Sequence, residues 1–339
     1  MRLAWHTGFA SHARARYGGL GCIVMLHRVR PDCVSPLGVT RSLSITPDFL
    51  DTVLSSLKEE GTEFIAMDEM SERLSQGARP GPGRFVAVTL DDGYGDNLHH
   101  AQPVFQKHNV PFTIYAAPGL VEGAAVLWWE VVEQLVARSE HVRIPGGPEW
   151  RCRTMLQKRT AFHALMRHFS YVLSEVEQLP VLRQMCAEAG MICGVAAERD
   201  VMSWRELKQI AGDPLCTIGA HTVHHYNLRK LSPELVSIEM EQSADMIEDR
   251  LGKRPRHFAY PYGSVKAAGR REARLAAELG FVSAVTTRHG TIHPEHRASM
   301  FSLPRISING RFQKLVYAQT MMSGATTPMA NAGRRVIQA

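Results

Sequence analysis

The stretch Val-Ala-Val-Thr-Leu-Asp-Asp-Gly-Tyr-Gly-Asp, residues 86–96, constrains the fold more than any other part of the chain. Phe85 to Leu90 is an apolar, β-branched run of strand length. It meets two adjacent carboxylates, Asp91 and Asp92, and then Gly93. A strand that ends in paired acids and a turn glycine sets charge at the rim of a sheet, where ligands bind in α/β folds. Successive strand residues face opposite ways, so the two acids do different work unless the chain bends there, and Gly93 permits a bend. Taken alone, the stretch also fits a solvated Asp-Asp-Gly turn.

The chain of 339 residues is long enough for one barrel-type domain or two smaller ones. Its 45% apolar and 21% charged residues are ordinary for a globular protein. The net charge of +6 is spread out, without a basic block or aromatic–basic interleaving, so no nucleic-acid partner is expected. No apolar run reaches transmembrane length. The first 19 residues carry Arg2, Arg14 and Arg16 but neither a continuous apolar core nor a small-residue cleavage site, which argues against a secretory leader. Six cysteines (Cys22, Cys33, Cys152, Cys186, Cys193 and Cys216) are dispersed without a CxxC pair. They read as reduced, mostly buried thiols rather than a zinc cluster, and a cytoplasmic location is expected.

In chain order, residues 1–19 form a loosely held arm. Cys22–Leu26 is a strand ending at His27, a histidine that either faces a site or is a hydrogen-bonded rim residue. Thr46-Pro47-Asp48 opens a helix by capping, fixed φ and helix-dipole complementarity, and Phe49, Leu50, Val53, Leu54 and Leu57 are its apolar stripe. Strand, helix and strand follow one another from residue 85 to 117, a βαβ unit. Trp128 and Trp129 are adjacent near a rim loop, where an aromatic face suits a sugar ring. Residues 139–200 read as a helical insertion, with a Gly/Pro turn at 145–148. Regular alternation resumes with Ser203 capping a helix and strand Cys216–Ala220 ending at His221. A long helix opens at Ser232-Pro233, and further strands begin near Phe258, Phe281 and Leu303. Residues 320–339 are small and polar and are expected to be disordered. Strands alternating with helices and ending in polar residues predict an α/β fold, a parallel barrel with its site at the strand C-termini.

His221 and His225 are four apart. On a helical turn that spacing puts both imidazoles on one face, within reach of one metal ion. His224 allows other pairings. An acid from a different strand, such as Asp92, would complete a two-histidine, one-carboxylate site with open positions, leaving Asp91 to act as a base.

The motifs Thr89-Leu-Asp-Asp-Gly-Tyr94, His221-Thr-Val-His-His225 and Phe258-Ala-Tyr-Pro-Tyr-Gly263 stand in the order and rough spacing of the polysaccharide deacetylases, carbohydrate esterase family 4, which includes chitooligosaccharide deacetylases of the nodulation type. The chain resembles that family from about Leu26-His-Arg-Val29 to Leu303-Pro-Arg-Ile306, outside the insertion. The resemblance implies a distorted (β/α) barrel of about seven parallel strands, with residues 20–319 as the catalytic domain. It implies a divalent metal, zinc before cobalt, nickel or manganese, on Asp92, His221 and His225. It also implies Asp91 as catalytic base and the Tyr262 backbone N–H as oxyanion donor. Tyr94, Pro261 and Trp128 or Trp129 are the candidate neighbours of an acetylated carbohydrate substrate.

Two departures stand out. The family's arginine in the third motif is replaced by Ala259, and Arg305 is the candidate substitute for orienting the base. A late Leu-x-His motif supplying the general acid has no clean copy, which leaves His27, His289 and His293, with His27 favoured by its place at a strand end. The expected activity is hydrolysis of N-acetyl or O-acetyl groups on an amino-sugar oligomer or polysaccharide precursor. The rivals are a hydrolase of non-sugar amides on the same scaffold and a non-catalytic carbohydrate-binding relative. The oligomeric state is not legible.

Overall fold

Two apolar runs open the architecture. Strand β1 (Gly21–Leu26) and strand β2 (Phe85–Leu90) are buried at every position, as strands covered on both faces must be. They pair in parallel over six residues, from Gly21 against Phe85 to Leu26 against Leu90. A computed structural model shows their surroundings, describing residues 14–32, 35–79, 83–193 and 201–338. The other barrel strands are β3 (Phe112–Ala116), β4 (Cys216–Ala220), β5 (His257–Ala259), β6 (Ser283–His289) and β7 (Leu303–Ser307). Their order is β1-β7-β6-β5-β4-β3-β2, and the β1–β2 pairing closes the ring. This is the seven-stranded parallel (β/α) barrel expected from the sequence. A two-residue strand, Glu63–Phe64, pairs with the start of β2, before β3 joins it at Val88.

Alternation along β2 sorts its side chains. Phe85 and Ala87 join Ile23, Tyr115, Ala259, Val285 and Leu303 in one buried cluster, the barrel interior. Val86, Val88 and Leu90 belong to the cluster packed under helix α1 (Pro47–Glu59), against Leu50, Val53, Leu54 and Leu57. The Thr46 hydroxyl caps α1 by accepting from Phe49 N–H, as the sequence predicts. The remaining principal helices are α2 (Met67–Ser75), α3 (Gln102–His108), α4 (Trp128–Arg138), α5 (Met155–Tyr171), α6 (Glu175–Glu188), α7 (Trp204–Ala211), α8 (Pro233–Leu251), α9 (Arg270–Glu278) and α10 (Leu315–Met322).

The insertion has its own core. Leu135 and Val136 of α4 pack with Phe162, Leu165 and Phe169 of α5 and with Leu182 and Met185 of α6. It also contains a small hairpin, His141–Arg143 paired with Glu149–Arg151, around the predicted Gly/Pro turn. The insertion's last residues, 194–200, and arm residues 1–13 lie outside the described part of the chain.

The expected disorder from residue 320 is not found. Helix α10 buries Ala318, Thr320, Met321 and Met322, and Thr327–Ala330 forms a further short helix. The segment is tied back by Asn331 donating to the His289 carbonyl at 2.7 Å and His296 donating to the Ile337 carbonyl at 3.0 Å. Its small residues, which suggested an unfolded tail, permit close packing instead. Gly324 has a φ of +83°, and a Cβ there would lie 2.2 Å from the Tyr17 carbonyl oxygen.

Candidate metal centre and catalytic site

The inward parity of Phe85, Ala87 and Thr89 continues to Asp91, whose carboxylate lies inside the barrel. Asp92 should therefore face outward. It does not, because its own backbone is left-handed, with φ +70°, followed by Gly93 at φ +69°. The bend anticipated at Gly93 begins one residue earlier, and Asp92 is rotated into the space above the strand ends. Left-handed backbone is tolerated better by aspartate than by most residues, but it persists only where surrounding contacts impose it.

Asp92, His221 and His225 converge there, all buried, with candidate ligand atoms within 4.8 Å of one another. Asp92 Oδ1 lies 3.4 Å from His221 Nε2 and 3.3 Å from His225 Nε2. It nevertheless makes no hydrogen bond. Atoms bonded to one tetrahedral ion at about 2.0–2.2 Å stand roughly 3.3–3.6 Å apart, so this spacing is that of ligands around a shared cation. A buried carboxylate oxygen without a donor is otherwise costly. The donor set therefore fits a divalent metal. His221 Nδ1 donates to the Ala259 carbonyl at 2.7 Å, which fixes the tautomer and leaves the Nε2 lone pair for a ligand bond. Burial outweighs the nearby Asp92 charge and lowers the His225 pKa, favouring the neutral, ligating imidazole. For Asp92, burial opposes ionisation, but His221 and His225 prevail and hold the carboxyl well below the usual range.

The histidines do not meet on a helical turn. Residues 221–225 have no regular structure, and Thr222 and His225 are both left-handed, at φ +59° and +58°. A kinked loop, not 3.6-residue periodicity, brings the two rings to 4.9 Å. His224 turns away and donates from Nδ1 to Glu239 Oε1 at 2.6 Å.

Asp91 is gripped by Arg305 across the barrel. The guanidinium makes two parallel bonds, Nη1 to Oδ1 at 2.7 Å and Nη2 to Oδ2 at 2.6 Å, with both side chains almost wholly buried. Nη1 also donates to Thr89 Oγ1 and Nε to the Thr286 carbonyl. Burial pushes the Asp91 carboxyl up, but the Arg305 charge and hydrogen bonds together outweigh it and leave the pKa below the ordinary value. Arg305 thus occupies, from β7, the position relative to the acid that the sequence reading assigned to it in place of Ala259.

His27 follows the end of β1 half-buried, directly after Leu26, which pairs with Leu90 just before the two acids. Its backbone is held from the opening stretch: Asn97 Nδ2 donates to the His27 carbonyl at 2.8 Å, and Asp96 accepts from Arg28 Nε at 2.8 Å and from Val29 N–H at 3.0 Å. Asp96 and Asn97 are supporting residues that the sequence reading passed over, although Asp96 ends the stretch it began from. Of the other two candidate acids, His289 bonds to Thr326 Oγ1, and His293 follows Ile292, which pairs with Gly21 at the opposite end of β1.

Tyr262 follows β5 with φ +60°. Among the described residues its N–H meets no acceptor, as an oxyanion donor requires. The expected substrate residues divide. Trp129 is half-buried, with its ring 5.2 Å from His225 and 6.2 Å from Tyr262, beside the candidate metal residues. Trp128 is buried, stacked on Phe169 at 5.2 Å and donating to the Tyr262 hydroxyl at 2.8 Å, so it braces Tyr262. Tyr94 is fully buried, donates to Glu130 and lies under Arg28, and Pro261 is buried with its carbonyl accepting from Gly263 N–H. These two shape the site from behind: apolar bulk next to a strand end is drawn into the core.

Residues 176–282 match the family described as polysaccharide deacetylase. No curated protein matches the chain in sequence. Among solved structures it is similar to the Streptococcus pyogenes deacetylase PplD in complex with acetate, at 21% identity and a TM-score of 0.59 over 89% of this chain and 97% of that one. It is similar to IcaB from Ammonifex degensii at 19% identity and a TM-score of 0.56, covering 89% and 98% of the two chains. A polysaccharide deacetylase from Bacillus cereus follows at 16% and 0.55, covering 88% and 68%. At these identities the likeness is one of fold. The family match takes in His221, His225 and Tyr262, while Asp91 and Asp92 lie before it and join it through the barrel.

Proposed function

We propose that this chain, whose residues 176–282 match the polysaccharide deacetylase family, is a metal-dependent carbohydrate deacetylase. It removes N-acetyl or O-acetyl groups from an amino-sugar oligomer or polysaccharide precursor and releases acetate. The observation that carries the reading is the division of the two adjacent acids, with Asp92 set against two histidines and Asp91 held apart by Arg305.

Asp92, His221 and His225 would hold the ion, for which two imidazoles and a carboxylate favour zinc. When bound, a divalent ion lowers the pKa of a water and polarises an acyl oxygen. Asp91, kept ionised and oriented by Arg305, takes the proton of the attacking water. The Tyr262 N–H donates to the oxygen on which negative charge develops, an interaction worth roughly 3 kcal/mol in comparable sites. His27 delivers a proton to the departing nitrogen or oxygen, supported by its place after Leu26, which pairs with Leu90 just before the two acids. Trp129 walls the substrate. Function in the cytoplasm is part of the proposal and rests on the dispersed cysteines.

The test is an acetate-release screen over N-acetylglucosamine oligomers and acetylated envelope sugars, with and without added zinc or cobalt. Metal-stimulated release is the expected result. Activity confined to simple amides would replace the sugar reading. Purified protein that holds no divalent metal and gains no activity on adding it would overturn the enzyme.

A further inference from the structure

We infer that Glu239, on α8, is a positioning residue that preorganises the metal-binding loop; the inference rests on the metal-site reading above. The loop from His221 to His225 contains two left-handed non-glycine residues, Thr222 and His225. Such backbone is held in place only by its surroundings. Glu239 supplies the hold from one side. Its Oε2 accepts from the N–H groups of Val223 at 3.0 Å and His224 at 2.9 Å, and its Oε1 accepts from His224 Nδ1 at 2.6 Å. Its side chain is only 8% exposed. The other side is closed by Gly119, whose N–H donates to the Val223 carbonyl at 2.8 Å. A Cβ at Gly119 would stand 2.5 Å from that oxygen, so the loop fits only against a glycine.

Val223 is thus pinned through both of its backbone polar groups, midway between the two ligating histidines. Neither Glu239 nor Gly119 touches the ion position, and they act by fixing the angle at which His221 and His225 present Nε2. This also assigns His224, the third histidine of the motif: its imidazole completes the hold on Glu239 instead of competing for metal. Without the clamp the loop relaxes toward ordinary backbone and the imidazoles diverge. Metal affinity then falls, while the base and its arginine are untouched.

The test uses the full chain, stripped of metal and titrated with zinc or cobalt against a chromophoric chelator. In Glu239→Gln the amide is neutral and offers one acceptor oxygen, so the charged hold on the two backbone N–H groups and the His224 ring is lost. The zinc Kd should weaken about 10- to 100-fold, the range for losing such an outer partner. The kcat measured at saturating metal should remain near that of the unaltered protein. Gly119→Ala displaces the same loop from the opposite side and should weaken metal binding in the same way. If the unaltered chain binds no metal, the metal-site reading fails. If it binds and Glu239→Gln binds equally well, the positioning role fails. Should Glu239→Gln not fold, Gly119→Ala decides, and an unchanged Kd there overturns the clamp.

Discussion

Replacing Arg305 by methionine removes the guanidinium while keeping most of the side-chain stem. Arg305 and Asp91 are almost fully buried and bound by two short parallel hydrogen bonds. Taking away one partner of such a pair leaves an uncompensated buried carboxylate, at a cost of about 3–5 kcal/mol. The protein can limit that cost by protonating Asp91. At about 1.4 kcal/mol per pH unit, the whole cost corresponds to a rise of roughly two to four units in the Asp91 pKa. In the unaltered protein the carboxyl lies below its unfolded value, so the pair's stabilisation is complete above about pH 4 and is lost as pH falls through the folded value. In the variant, burial alone sets the carboxyl above its unfolded value. Its penalty is full at alkaline pH and fades as the pH falls toward about 4, where the folded state binds a proton that the unfolded state also takes up. Urea unfolding at pH 8 and pH 5, with chelator present, should therefore show a stability gap between the two proteins that narrows on acidification. Acetate release at neutral pH should fall sharply, and its acidic limb should move upward. A variant with full activity and the same gap at both pH values would refute the ion-pair reasoning.

Asp91→Asn should lower turnover about 100- to 10,000-fold, the scale of a lost general base, yet retain as much zinc as the unaltered protein by atomic absorption; loss of the metal would contradict the division between the acids. Trp129→Ala should raise KM, whereas Trp128→Phe should leave KM alone and cost about 0.5–1.5 kcal/mol of stability in thermal melts, the worth of the bond to the Tyr262 hydroxyl. Ending the chain at residue 314 should uncover the core that Met321 and Met322 cover, at about 1.5–3 kcal/mol for each such side chain, and lower the urea midpoint; an unchanged midpoint would refute the packing account of that segment.

The barrel strands were legible because burial on both faces writes them as apolar runs, and Phe85–Leu90 is the plainest. Helix α1 was legible through its local Thr-Pro-Asp start. The candidate metal residues stood out as a motif, but their geometry was misjudged: four-residue spacing suggests a helix, and nothing in the letters Thr222 and His225 announces left-handed backbone. The pairing of Arg305 with Asp91 was only a candidate from sequence because the two are remote in the chain and adjacent only after the barrel closes. Trp128 and Trp129 look alike as letters, and their different surroundings depend on Phe169, deep in the insertion, which takes Trp128 and leaves Trp129 beside His225. The packed C-terminal segment was missed because alanine, serine and glycine signal disorder when counted but fit closely when an acceptor surface exists.

The closure of the barrel through β1 and β2 has a consequence for how the protein comes into being. During synthesis, Asp92, His221 and His225 are all available once the chain has emerged past β4, so a nascent chain holds all three candidate metal ligands before it holds Arg305. The counter-charge for Asp91 arrives only with the last strand, which must insert beside β1, among the first strands to emerge. A chain interrupted before β7 would leave Asp91 without the guanidinium that pairs with it. The barrel's final seam is therefore also the step that brings Arg305 to Asp91.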